Sequence, residues 1–398
     1  MSFDPSTKKQ SLFSQTAGVL QSIKAGTAIS MLAGLSLVAC GDPPSEEMKA
    51  ENRSIAQHNG PTVIVSTFAG SGPTGIQKGG FADGPGNTAR FDCPIGITID
   101  TAGNLYVADS YNDSIRKVTP EGEVSTLAGD ERGFADGQGS DAMFWRPHGI
   151  TIDAAGNLYV ADTNNSRIRK VTIHGEVSTL AGGEDGFSDG SGSAARFYIP
   201  DGIAMDATGN LYVADTYNHR IRKVTLKGEV STLAGSGEEG FADGQGNTAV
   251  FNHPRGIAID VAGNLYVADF WNHRIRKITI KGEVSTLAGS GEIGVADGKG
   301  STAQFNGPEG IAIDAAGNLY VTDSRSNRIR MVTPEGEVST LAGSDSTDPD
   351  GEVGGFADGE GSVAKFDSPS GIAIDAAGNL YVTDSDNYRI RKIVIQRP

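Results

Sequence analysis

The string Gly202–Gly235, GIAMDATGNLYVADTYNHRIRKVTLKGEVSTLAG, recurs with small changes through most of the chain. Its first glycine returns as Gly96, Gly149, Gly202, Gly256, Gly310 and Gly371, in steps of 53, 53, 54, 54 and 61 residues. A period near 50 suits a four-stranded propeller blade and exceeds the roughly 33 to 47 residues of helical repeats. The residues inside the unit agree. In the copy that starts at Gly96, Ile97–Asp100 and Leu105–Ala108 are short β-branched and aromatic runs divided by Thr101-Ala102-Gly103-Asn104, a hairpin signal. Ile115–Thr119 then alternates apolar with charged side chains, and Glu121-Gly122 turns the chain into Glu123–Ala128. LYVA lacks polar alternation, as expected of a strand covered on both faces, whereas IRKV and VSTL are half polar and suit a wetter rim.

The last copy stops at Lys392-Ile393-Val394-Ile395 without its GEVSTLAG strand, and Val63–Gly70 supplies such a strand before the first copy. The sequence therefore predicts an all-β, closed six-bladed β-propeller with four-stranded blades, whose last blade is completed by the N-terminal strand. Closure of this kind removes exposed sheet edges.

Ahead of the ring, residues 1–40 read as a signal peptide: Lys8, Lys9 and Lys24 precede the apolar stretch Ala25–Ala39, which is short for a membrane span. Its end, Leu37-Val38-Ala39-Cys40, resembles the bacterial lipobox, which implies lipidation of Cys40 and anchoring in the cell envelope. By the same resemblance Gly41 favours the outer membrane or cell surface. Residues 41–60 are polar, with no apolar periodicity, and are expected to form a disordered tether; residues 61–398 form the propeller. Loss of residues 1–40 removes three lysines and one aspartate and moves the formal charge from −16 to −18. Such a charge argues against nucleic acid and anionic lipid, leaving the lipid anchor as the only membrane contact. With Cys40 modified, Cys93 has no disulfide partner and is expected to pack.

The linkers repeat as well. Phe81, Phe134, Phe187, Phe241 and Phe356 share one position, with Val295 at the sixth, and Phe91, Phe144, Phe197, Phe251, Phe305 and Phe366 share another. Both columns are expected to anchor the crossing from rim to axis. Asp83, Asp136, Asp189, Asp243, Asp297 and Asp358 precede glycine and are expected to cap turns. No cofactor is expected; calcium is the alternative at these aspartates, although a lone carboxylate is only part of a cage of about six to eight oxygens. The long step contains Ser344–Gly355, read as a solvated acidic loop.

The pattern Pro-x-Gly-Ile-x-Ile-Asp-x-x-Gly-Asn-Leu-Tyr-Val-Ala-Asp-x-x-Asn-x-Arg-Ile-Arg-Lys, as in Pro254, Gly256, Ile257, Asp260, Gly263, Asn264, Leu265–Asp269, Asn272, Arg274 and Ile275, resembles the NHL repeat from about Thr62 to Pro398. That resemblance implies the propeller and leaves function open, because such propellers serve as sensor, RNA-binding and amidating-lyase domains, and gluconolactonase-like hydrolases share the six-bladed form. A lyase would imply zinc held by histidines at the channel. His148 is placed to face the axis, His253 lies farther from its blade glycine, and His219 and His273 fall in the repeated Asn-His-Arg, where a structural role is expected.

Catalysis needs unlike groups at one point, and here symmetry breaks just before each blade glycine, at Ile95, His148, Asp201, Arg255, Glu309 and Ser370. The loop after LYVAD varies too, as Ser110-Tyr111, Thr163-Asn164, Thr216-Tyr217, Phe270-Trp271, Ser324-Arg325 and Ser385-Asp386. Both sets are expected at one channel mouth. His148, Asp201, Arg255 and Glu309, with Tyr111, Tyr217, Trp271 and Arg325, are the candidate ligand-binding residues for a peptide, protein or glycan. A binding module is the leading reading; a hydrolase or lyase with an axial metal is the alternative, and no catalytic set is assigned.

Overall fold

LYVAD strands at Leu105–Asp109 and its five counterparts are buried almost throughout. Successive side chains of a strand point to opposite faces. Leu105 and Val107 therefore pack into one core and Tyr106 and Ala108 into the next. Each core lies between neighbouring blades, as where Ala204, Ala214 and Ile221 meet Phe251, Leu265 and Val267. The computed structural model describes residues 61–71, 79–344 and 354–396. The segments expected to be a signal peptide with Cys40 and a tether, and residues 345–353 of the expected acidic loop, lie outside them. Among the described residues no helix is long and apolar enough to cross a membrane.

Six sheets form the blades, numbered here by their inner strands Pro94–Ile99, Pro147–Ile152, Pro200–Met205, Pro254–Ile259, Pro308–Ile313 and Pro369–Ile374. The sixth is split as expected: Thr62–Ala69 pairs antiparallel with Arg389–Gln396, from Thr62 opposite Gln396 to Ala69 opposite Ile390. Closure repeats at the axis. A Cβ on Gly96, Gly149, Gly202, Gly256 or Gly310 would collide with the carbonyl before the next blade's glycine, and on Gly371 with the Ile95 carbonyl of blade one. Ser385 Oγ donates to the Pro94 carbonyl at 2.6 Å, as Thr163 Oγ1 does to Pro200 at 2.8 Å between blades two and three.

Each sheet has five strands, one more than the repeat suggests. In blade one the extra strand is Gly84–Pro85, paired with Val124 and Glu123. The linker covers the outer edge before it turns inward, so the edge is not left open. Its Asp-Gly-Pro sequence has no alternation to announce a strand.

The third strand departs further from its half-polar reading. Arg116 and its counterparts Arg169, Arg222, Arg276, Arg330 and Arg391 are fully buried. Arg116 Nη1 donates to Asp109 Oδ2 at 2.6 Å and to the Arg90 carbonyl at 3.1 Å; Nη2 donates to Asp83 Oδ1 at 2.6 Å and to the Ala82 carbonyl at 2.9 Å. Asp83 also accepts the Thr126 backbone N–H at 3.0 Å. Instead of only capping a turn, this aspartate latches the linker to the third and outer strands. The two phenylalanine columns differ as well: Phe91 is fully buried and Phe81 is 48% exposed, with the guanidinium 5.2 and 4.5 Å from their ring centroids. Burial pushes the Asp109 carboxyl up to about 6, against Arg116, Asn112 and the Asp92 amide that hold it down.

Candidate functional site

One face of the ring gathers the start of every inner strand and the end of every LYVAD strand, since Pro94 lies opposite Asp109 in the ladder and the other blades repeat this. The second oxygen of the LYVAD aspartate holds the linker there. Asp109 Oδ1 accepts the Asp92 N–H at 2.8 Å, and the equivalent bond fixes Trp145, Tyr198, Asn252, Asn306 and Asp367. The carbonyls of these six residues accept the N–H of Tyr111, Asn164, Tyr217, Trp271, Arg325 and Asp386 in turn. Two variable columns therefore sit side by side in every blade.

The backbone at this face is tightly determined. Among the described residues the non-glycine positions with positive φ are Cys93, Arg146, Ile199, His253 and Ser368 before the inner strands, and Asp113, Ser166, His219, His273, Asn327 and Tyr388 after the LYVAD turn. For a β-branched residue such as Ile199, at φ 53, this region costs on the order of 1–3 kcal/mol, so packing rather than local preference sets the frame. Side chains of one blade latch the next: Asp113 Oδ1 accepts the Arg146 N–H at 2.7 Å, His219 Nδ1 that of His253 at 3.2 Å, and His273 Nδ1 that of Gly307 at 3.1 Å. His219 and His273 thus take the structural place expected of them. Burial holds both below the ordinary imidazole range, which keeps the accepting nitrogen bare.

The residues just before the blade glycines form the inner ring. His148 Nδ1 lies 3.4 Å from Asp201 Oδ2, Arg255 Nε lies 3.9 Å from the same oxygen, and Arg255 Nη1 reaches Glu309 Oε2 at 2.9 Å. Four of the candidate residues are therefore one chain of alternating basic and acidic side chains across blades two to five. Burial opposes the Asp201 charge, yet His148 and Arg255 outweigh it and hold the carboxyl below its usual range. Asp201 and Glu309 line the axial cavity with Ile95 and Ser370, whereas His148 and Arg255 reach sideways to them. That cavity is narrow, about 70 Å³. Larger recesses of about 650 and 460 Å³ lie on the opposite face between blades, lined by the near-identical Asp-x-Ala-Gly turns.

The outer ring brings together only some of the remaining candidates. Trp271 packs edge-on to Phe270 at 4.9 Å, with the Arg325 guanidinium 5.1 Å from its ring centre, and Arg255 stacks on Phe270 at 3.8 Å, linking the two rings. Tyr217 contacts Tyr198 at 5.3 Å and His253 at 4.7 Å. Tyr111 stands apart from these groups under Arg146, at 4.4 Å. Trp145 and Tyr198, 40% and 39% exposed, were missed by sequence reasoning, as was Asp367, whose chain partner Asp386 the sequence had placed at the mouth. The signal existed: the column after the invariant second phenylalanine reads Asp92, Trp145, Tyr198, Asn252, Asn306 and Asp367 in an otherwise constant frame. Burial, then the Asp386 charge, raises the Asp367 carboxyl to about 6. Burial and Asp386 also push the Cys93 thiol far up, so it stays protonated. Among the described residues no three His, Cys, Asp or Glu side chains gather as metal ligands.

A family model described as "NHL repeat" matches residues 91–118, 144–171, 197–224 and 251–278, and one described as "Teneurin NHL domain" matches residues 299–394. The chain is 30% identical over 367 residues to Protein SUPPRESSOR OF QUENCHING 1, chloroplastic, of Arabidopsis thaliana, covering 86% of this chain and 34% of that protein. It spans less than half of the length of the first curated relatives it matches, 34%, 46% and 45%. Among solved structures it resembles an auxiliary nutrient binding protein from Bacteroides thetaiotaomicron, with TM-score 0.64, 19% identity and coverage of 84% of this chain and 77% of that one. It also resembles a gluconolactonase from Xanthomonas campestris, with TM-score 0.52, 15% identity and coverage of 81% and 98%. Both likenesses are likenesses of fold.

Proposed function

Because the chain is an NHL-repeat six-bladed propeller, we propose that it works as a binding module, capturing a peptide, protein or glycan on its channel-mouth face without transforming it. The observation that carries this reading is where variety lies: the frame is constant from blade to blade, and unlike residues gather on one face, above all His148, Asp201, Arg255 and Glu309 in mutual contact. A near-symmetric ring can select an asymmetric ligand only there. A propeller of the same fold is named an auxiliary nutrient binding protein, which is in keeping with capture. The axial-metal hydrolase or lyase finds no support in the residues, because Asp201 and Glu309 are already engaged by His148 and Arg255. We further propose export and anchoring at the bacterial envelope through lipid on Cys40, with the mouth free to meet ligand.

Capture of binding partners from an envelope extract tests the mouth. Trp271→Ala, which truncates a 43% exposed ring, is expected to lose capture with little change in melting temperature, whereas Tyr159→Ala, 2% exposed in a core, is expected to unfold its blade. Unchanged capture by Trp271→Ala would place recognition elsewhere. Cys40→Ser should move the protein from detergent to the aqueous phase; identical partitioning contradicts the anchor.

A further inference from the structure

We propose that the ligand of the mouth is a neutral oligosaccharide, stacked along Trp145, Tyr198, Tyr217 and Trp271; this rests on the reading of the mouth as the binding face. The inner charges carry the first part of the case. His148, Asp201, Arg255 and Glu309 hold one another, so their pairing leaves little to reward an ionic ligand, while their partly exposed polar atoms suit the hydroxyls of a neutral one. Beside them the arc of blades six and one is acidic, with Asp92, Asp367 and Asp386 in the outer columns, and it repels anionic sugars.

The cavity carries the second part. At about 70 Å³ the axial opening is well below the roughly 300 Å³ at which small-molecule pockets begin, so the ligand lies across the face rather than in the channel. Across blades two to four that face offers Trp145, Tyr198, Tyr217 and Trp271, each 39–48% exposed, at two register positions that recur from blade to blade. Pyranose rings present C–H faces that stack on the electron-rich faces of indole and phenol, and their hydroxyls pair with neutral amide and imidazole groups such as those of Asn164, Asn252 and His253. Aromatics repeated at blade spacing match a ligand built of repeated rings. Strand addition, one way a peptide binds, has little room here, since the linker strands cover the outer edges of the sheets and the inner edges meet at the axis.

Affinity electrophoresis of the purified full chain, in native gels containing soluble galactomannan, xyloglucan, mixed-linkage β-glucan or polygalacturonate, tests this, with a peptide array probed in parallel. Retardation by at least one neutral polysaccharide and none by polygalacturonate is expected. Trp145→Ala and Trp271→Ala should each weaken it by roughly tenfold or more at an unchanged melting temperature, with Trp145→Phe retaining most of the binding. Absence of retardation in every neutral gel overturns the inference, as does retardation equal in wild type and both alanine variants. If the array is bound in a Trp271-dependent way while no glycan is, the sugar inference falls and the mouth reading stands. If some probe binds and no mouth variant changes it, both fall.

Discussion

Arg222 is a charge buried deep in a protein, held there through both of its terminal nitrogens while its Nε–H is left without a partner. Asp215 and Asp189 neutralise it, the Arg196 and Ser188 carbonyls take further N–H groups, and Phe187 and Phe197 cover its two faces. Removing one member of a buried pair strands the other and costs about 3 to 5 kcal/mol. Arg222→Met is therefore expected to lower the melting temperature by roughly 5 to 10 °C. Adding Asp215→Asn should recover part of that loss, because no carboxylate is then left buried alone. A single variant that melts like wild type would show that the guanidinium hub is dispensable.

The split blade is the element on which the ring depends. Thr62–Ala69 both fills the sixth sheet and covers Arg389–Gln396, whose edge would otherwise be bare. Deleting residues 61–70 should lower the melting temperature far more than deleting residues 42–59, and equal melting of the two truncations would contradict closure by this strand. These elements were legible in the sequence: the period, the unbroken LYVA run and the outer strand missing at one end and present at the other are enough to draw the ring. The fifth strand was not, since Gly84–Pro85 and its counterparts gain their pairing only from the neighbouring edge. Nor was the burial of Arg116, because alternation of charged and apolar residues reads as a wet face when the partners, Asp83 and Asp109, are 33 and 7 residues away.

At the scale of the whole molecule, sixfold repetition and single-ligand selectivity pull in opposite directions, and the propeller separates them. Glycines at the axis, buried Asp–Arg pairs and a left-handed residue after the LYVAD turn recur in every blade, while one face carries unlike residues. The inner half of that face could be read from the sequence as departures from a repeat. Its pairing into a chain of charge could not, because it needs the angle between blades. Trp145 and Tyr198 escaped for another reason: they lie in the linkers, where variation looks like loop variety until the Asp162 and Asp215 carboxylates are seen to pin it. The most direct measurement of this separation follows capture and thermal unfolding in one sample of a variant in which His148, Asp201, Arg255 and Glu309 are all replaced by serine, the residue that Ser370 already supplies in blade six. Removing all four together strands no buried charge. Capture should be lost while the melting temperature stays within a few degrees of wild type, roughly the effect of 1 or 2 kcal/mol; retained capture, or loss only together with unfolding, would contradict a recognition face carried on an independent frame.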